Sequence, residues 1–100
     1  MKPSRLSPQA AADLDEIWAV ISLLNEDAAS RLIADLKHRC DELSLLPDAG
    51  TPRDDVAPGL RSVPHRPYLI FYRVRAGWVE VVRIVHGARD LSNLEGREDP

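Results

Sequence analysis

The feature that most constrains this chain is a change of hydrophobic period near its midpoint. From Leu14 to Leu46 apolar side chains recur three and four residues apart, the spacing of helices with one buried stripe. From Leu60 to Val85 they fall instead into short runs rich in β-branched and aromatic residues, punctuated by Pro and Gly. Helices followed by strands, without alternation, specify an α+β domain whose helices cover one side of a sheet.

The element ends are marked by their chemistry. Ser7-Pro8 opens the first helix, with Ser7 as cap and Pro8 at the first helical position. Its stripe is Leu14, Ile17, Trp18, Ile21 and Leu24. Asp13, Asp15 and Glu16 lie toward its N-terminal half, where the helix dipole favours negative charge, which explains the cluster better than acid–base chemistry. Asn25 caps a second helix with the stripe Ala29, Leu32, Ile33, Leu36, Cys40, Leu43 and Leu46, ending before Pro47. Almost no linker separates the two, so they should form an antiparallel hairpin, each arm roughly 25–30 Å long.

Pro47 to Pro52 is turn chemistry, and Pro58-Gly59 marks a second turn. Leu60–Val63 is a short strand, ended by Pro64 and Pro67. Tyr68–Val74 and Trp78–Val85 form a hairpin around Ala76-Gly77. Val79, Val81 and Val85 are expected on one face of the last strand, with Trp78, Val82 and Ile84 on the other. Such a strand is buried on both faces and sits centrally. Lys2–Leu6 supplies a short N-terminal strand, and Asp90 caps a helical turn through Leu94 before the tail frays after about residue 95. The expected architecture is one domain over residues 1–100, ordered β-α-α-β-β-β, with a two-helix hairpin packed on a small antiparallel sheet.

Composition narrows the function classes. No segment approaches the ~20 apolar residues of a membrane span, and no secretory leader pattern opens the chain, so it reads as cytoplasmic with no membrane partner. Cys40 is the lone cysteine, a core position without metal-ligand spacing around it; no metal or cofactor is expected. The net charge of −3 argues against direct nucleic-acid binding by the chain alone. A local basic face remains open, because seven of the thirteen basic residues fall between Arg61 and Pro100.

Three segments carry a family resemblance. They are Leu6-Ser7-Pro8-Gln9-Ala10-Ala11-Ala12-Asp13-Leu14-Asp15-Glu16-Ile17-Trp18, Pro58-Gly59-Leu60-Arg61-Ser62 with Tyr68-Leu69-Ile70-Phe71-Tyr72-Arg73, and Val82-Arg83-Ile84-Val85-His86-Gly87-Ala88-Arg89-Asp90-Leu91. In order and spacing the chain resembles the ParE branch of the RelE/ParE toxin superfamily, which implies two helices on a small antiparallel sheet. RelE-like members are messenger-RNA endonucleases, and their chemistry needs a base, an acid and cations for the developing phosphorane charge. The positions where that branch places cations or tyrosine correspond here to Leu60, Ser62, Leu69, Ala88 and Leu94, so no catalytic residue is assigned. The ParE resemblance implies inhibition of DNA gyrase by protein contact, and neutralisation by a ParD-like antitoxin. A divergent endonuclease using Arg61, Arg73, His86 and Arg89, and a non-toxic antitoxin-binding remnant, are the rival readings.

Candidate sites follow from residue type. Leu14, Trp18 and Ile21 are candidates for an antitoxin groove, Trp18 as an aromatic anchor. Arg61, Arg73 and Arg83, if they share a sheet face, would grip an acidic antitoxin segment. Arg66, His86, Arg89 and Asp90 are candidates for target contact, Asp90 alternatively pairing with Arg89 or Arg83. The antitoxin is expected to lay a helix on the hairpin and to add a strand at an open sheet edge.

Overall fold

Ser7 sets the course of the chain. Its hydroxyl accepts from the Ala10 N–H at 3.0 Å and donates to the Val82 carbonyl at 2.8 Å, while its own N–H reaches the Val81 carbonyl at 2.9 Å. One residue thus caps a helix and fastens the helix start to a strand far away in sequence. The computed structural model describes residues 4–87: β1 (Arg5–Leu6), α1 (Pro8–Ser22), α2 (Glu26–Leu45), β2 (Thr51–Pro52), β3 (Arg61–His65), β4 (Tyr68–Arg75) and β5 (Trp78–His86). The expected tail features, Asp90 as cap of a turn through Leu94 and fraying near residue 95, lie outside the described residues.

The two helices cover one face of a five-stranded sheet ordered β1-β5-β4-β3-β2. The sheet is mixed rather than purely antiparallel, because β1 runs parallel to β5. Ser7 is the reason: the chain turns straight from β1 into α1 while still bonded along the outer edge of β5. β2 was not foreseen, being two residues long and half proline. It pairs with β3 through Thr51–Ser62 and Pro52–Arg61.

Several expected boundaries move: Ser4 lies outside β1, expected over Lys2–Leu6, and β4 and β5 each run one residue further, to Arg75 and His86. α1 stops at Ser22, where the N–H groups of Leu24 and Asn25 both turn back to the Ile21 carbonyl; Leu24 leaves the stripe and is 88% exposed. Leu46 lies beyond α2 in a non-helical conformation, which the following Pro47 favours, and is likewise exposed. β3 continues through Pro64 to His65. The Leu60 carbonyl faces the β2 side, where it accepts from the Arg53 N–H at 2.7 Å. Pro64 shares that phase, and there the strand has run past its short neighbour, so the missing N–H costs no ladder bond.

A β-bulge corrects the expected faces of β5. Arg83 pairs with Phe71 but Val81 pairs with Tyr72, so Val82 is the extra residue. Val79, Val81 and Ile84 therefore share the helix-facing core with Ile70, Tyr72 and Leu36. Val85 joins Phe71, Leu60 and Val56 in a second cluster on the opposite face, with Val82 packed against it. β5 is buried on both faces as expected, but the phase switches at the bulge. The second cluster is roofed by residues 53–60, where Arg53 lies 5.6 Å over the Phe71 ring.

Tyr72 fastens the α2–β2 connection. Its buried hydroxyl donates to the Pro47 carbonyl at 2.7 Å and accepts from the Gly50 N–H at 2.8 Å. Gly50 passes so close that a Cβ would overlap the phenol, so only glycine fits. Tyr72→Phe leaves a buried donor and acceptor without partners, and should lower unfolding free energy by about 1–3 kcal/mol in urea titrations. Cys40 is inert by burial: desolvation first, then Asp41, pushes its thiol from 9.0 up to about 12, with Arg39 opposing. The folded thiol is the weaker acid, so its contribution to stability is complete below the unfolded value and is lost as pH rises through about 9–12. Native protein should resist thiol-specific alkylation at about pH 8 and react on unfolding. A Cys40→Val variant should show a smaller alkaline loss of urea resistance.

Candidate functional site: two clefts flanking the first helix

α1 has apolar residues on more than one side, and this opens a cleft along each flank. The first cleft, of about 240 Å³, lies between α1 and the ends of β4 and β5. Ile17, Val20, Ile21, Tyr68 and Ile84 supply apolar walls, while exposed Glu16 and half-buried His86 add polar groups. Tyr68 and His86 meet edge to face, with ring centres 6.0 Å apart and planes 80° apart. The second cleft, of about 270 Å³, is formed by Leu6, Ala11, Leu14, Trp18, Ile33 and the Lys37 stem, with Asp15 at its edge. Trp18 remains 40% exposed over it.

Asp13 fixes α1 between them. Its carboxylate accepts from Arg83 Nε at 2.9 Å and Nη2 at 3.1 Å, and from the Ile84 N–H at 2.9 Å. The guanidinium fork and carboxylate are both mostly shielded, and two parallel bonds set their geometry. Asp13 belongs to the second turn of α1, not the first, and its role is this bond rather than dipole compensation. A sequence signal existed: Asp13 sits one turn from both Ala10 and Ile17, on the buried side, where a carboxylate requires a partner.

The predicted residues distribute unevenly. Leu14 is core, buried to 5%, and forms the floor of the second cleft beneath Trp18. Ile21, Arg83 and His86 come together at the first cleft, joining residues expected on separate surfaces. The three arginines do not share a face. Arg61 pairs with Tyr72 on the helix side and donates to the Asp48 carbonyl at 3.2 Å. Arg73, one residue after Tyr72, points to the opposite face toward the Pro58 carbonyl at 3.5 Å. Arg83 is engaged by Asp13. Register decides this, and register is invisible where strands are read singly. Arg66 is exposed in the β3–β4 turn, and Arg89 and Asp90 lie outside the described residues. Ile33 and Lys37 on α2, absent from the predicted set, complete the second cleft. Among the described residues no cluster of His, Cys, Asp and Glu could hold a metal ion, and no helix is long and apolar enough to cross a membrane.

A helical hairpin thus lies over a mixed sheet, with a cleft walled largely by apolar side chains along each flank of its first helix. A family model described as the ParE toxin of type II toxin–antitoxin system, parDE, matches residues 5–91, and the chain belongs to that family. It is 34% identical over 88 residues to Toxin ParE1 of Mycobacterium tuberculosis (strain CDC 1551 / Oshkosh), covering 86% of this chain and 90% of that protein. It is 38% identical over 81 residues to Toxin RelE2 of Caulobacter vibrioides, covering 81% and 90%. A solved structure titled as the chromosomal ParDE TA system from P. aeruginosa superposes with a TM-score of 0.72 at 26% identity, over 86% of this chain and 96% of that one.

Because Asp13 is the tie between α1 and the β5 edge, Asp13→Ala should lower stability by about 1–3 kcal/mol in urea unfolding. Removing Arg83 in the same background should add little, since the two act as one pair; a double-mutant cycle measures the coupling.

Proposed function

We propose that this chain is the toxin of a type II toxin–antitoxin pair that acts in the cytoplasm by binding DNA gyrase rather than by cutting RNA, and that a ParD-like antitoxin neutralises it. The observation that carries the reading is the state of Leu60, Ser62 and Leu69. By the family resemblance these correspond to positions that hold cationic groups in the ribonuclease branch, yet here Leu60 is buried in the second core cluster, Leu69 packs against it and Ser62 is buried. They offer nothing to stabilise a phosphorane. Arg61 and Arg73, invoked for an endonuclease, stand on opposite sheet faces and cannot serve one scissile phosphate.

The antitoxin seat is the second cleft. A helix laid along α1 and α2 would bury Trp18 against Leu14 and Ile33, an aromatic anchor over an apolar floor. Strand addition is the less suited mode: Ser7 and Asp13 already occupy the β5 edge, and prolines stand on the outward phase of β2 and β3.

Induction of the toxin in bacterial cells, with DNA and protein synthesis followed over the first minutes, tests the target. Early arrest of DNA synthesis, together with loss of supercoiling by purified gyrase, is expected. Early collapse of translation with cleaved messages would transfer the case to the endonuclease, and neither effect would leave a non-toxic binder. Trp18→Arg should weaken antitoxin binding at least about tenfold while the protein stays folded. Unchanged affinity would refute the cleft as the seat.

A further inference from the structure

The sheet face turned away from the helices carries a cationic surface that neither cleft uses. Register places Arg5 beside Glu80, and Glu80 beside Arg73, on one rung across β1, β5 and β4; Trp78 and Arg75 occupy the next rung. The side chains agree with that placement. The Arg5 guanidinium lies 4.7 Å over the Trp78 ring, and Arg75 donates twice to one Glu80 oxygen, at 2.7 and 3.1 Å. Arg75 thus pairs with Glu80, while Arg5 and Arg73 flank it on the rung, Arg73 reaching the Pro58 carbonyl at 3.5 Å. Among the described residues, neither Arg5 nor Arg73 has a carboxylate within ion-pairing range.

The charge of the whole domain is divided in the same sense. Residues 7–48, which hold both helices, carry nine carboxylates against three Lys and Arg side chains. Residues 49–87 together with Arg5 carry seven Lys and Arg side chains against three carboxylates. An acidic partner is repelled by the helical layer and drawn to the sheet, which selects orientation before contact.

We propose that the Arg5–Glu80–Arg73 rung is a docking surface for an acidic segment of a partner protein, held by the two arginine forks beside the Trp78 indole. Arg5 and Arg73 stand two strand spacings apart, about 10 Å, a span that two carboxylates on one extended segment can bridge. Guanidinium suits this role because its planar fork takes a carboxylate by two bonds. The bound indole–guanidinium stack keeps Arg5 pre-oriented, so less freedom is lost on binding. A nucleic-acid backbone fits less well, because Glu80 would oppose phosphates passing between the arginines. The surface stands apart from the clefts and does not depend on the toxin reading.

The test uses the full chain carrying Trp18→Phe, so that Trp78 is the sole indole. It is titrated by fluorescence with an Asp/Glu-rich peptide of about twelve residues and, separately, with oligothymidylate of equal length. The peptide should change Trp78 emission saturably, and Arg5→Glu with Arg73→Glu should weaken binding at least about tenfold. Arg31→Glu on α2 removes the same type of charge elsewhere and should change binding less than about twofold. If the double variant fails to fold, Arg73→Gln alone must still weaken binding. Absence of a Trp78 response, equal weakening by Arg31→Glu, or tighter binding of the oligothymidylate would each overturn the proposal.

Discussion

The junction between α1 and the outer edge of β5 is the constraint on which the rest of the fold depends. Ser7 closes the Val81 and Val82 carbonyls, and Asp13 closes the Ile84 N–H while holding Arg83. The bulge residue Val82 is itself one of these attachment points, two positions before Ile84. A regular ladder would expose β5's backbone groups where β1 has ended; here the helix supplies their partners from two side chains. The extra residue then turns Val85 to the far face and Ile84 to the near one, so a single strand serves two cores. Both clefts take their shape from this junction, because it fixes the line of α1 relative to the sheet.

Much of the fold was legible because it is local. Ser7-Pro8, Asn25, the helical stripes apart from their last members Leu24 and Leu46, Ala76-Gly77 and the two strong strands declare themselves within a few residues, and these lie where expected to within a residue. What escaped is what depends on a distant partner. β1 gains its parallel alignment from Ser7 bonding to residues more than seventy positions away. β2 is too short to have a period. The bulge cannot be read in Val79–Val85, where apolar residues fill both phases, and its absence from the reading misplaced Val85 and Ile84.

The candidate site shows the same division. Trp18 and Ile21 were found from helical spacing, and they line clefts. The arginines were grouped by proximity in sequence, and register then separated Arg61 from Arg73. Asp13 was seen as one of three acidic residues on a helix, yet only its placement beside Arg83 distinguishes it from Asp15 and Glu16. Charge on a helix states its own position well and its partner poorly. Tyr72 carries a similar lesson: its β-propensity placed it in a strand, while its hydroxyl organises a turn that sequence reading treated as independent.

The segment roofing the far face links the fold to the question of chemistry. Val56 and Leu60 cover Phe71 and Val85, and Arg53 lies over the Phe71 ring. A lysine at position 60 would need its ammonium to leave this cluster, and one at position 69 would meet the same apolar neighbours. Packing there and a cationic catalytic patch thus compete for the same positions on the sheet. Where the roof ends, on the rungs of Arg5, Glu80, Arg73, Trp78 and Arg75, the same face becomes charged and open. One face is consequently split between a dry half that adds to stability and a polar half free to meet a partner. A two-residue strand at each sheet edge suffices, because the helix on one side and the roof on the other supply the cover that longer edge strands would otherwise provide.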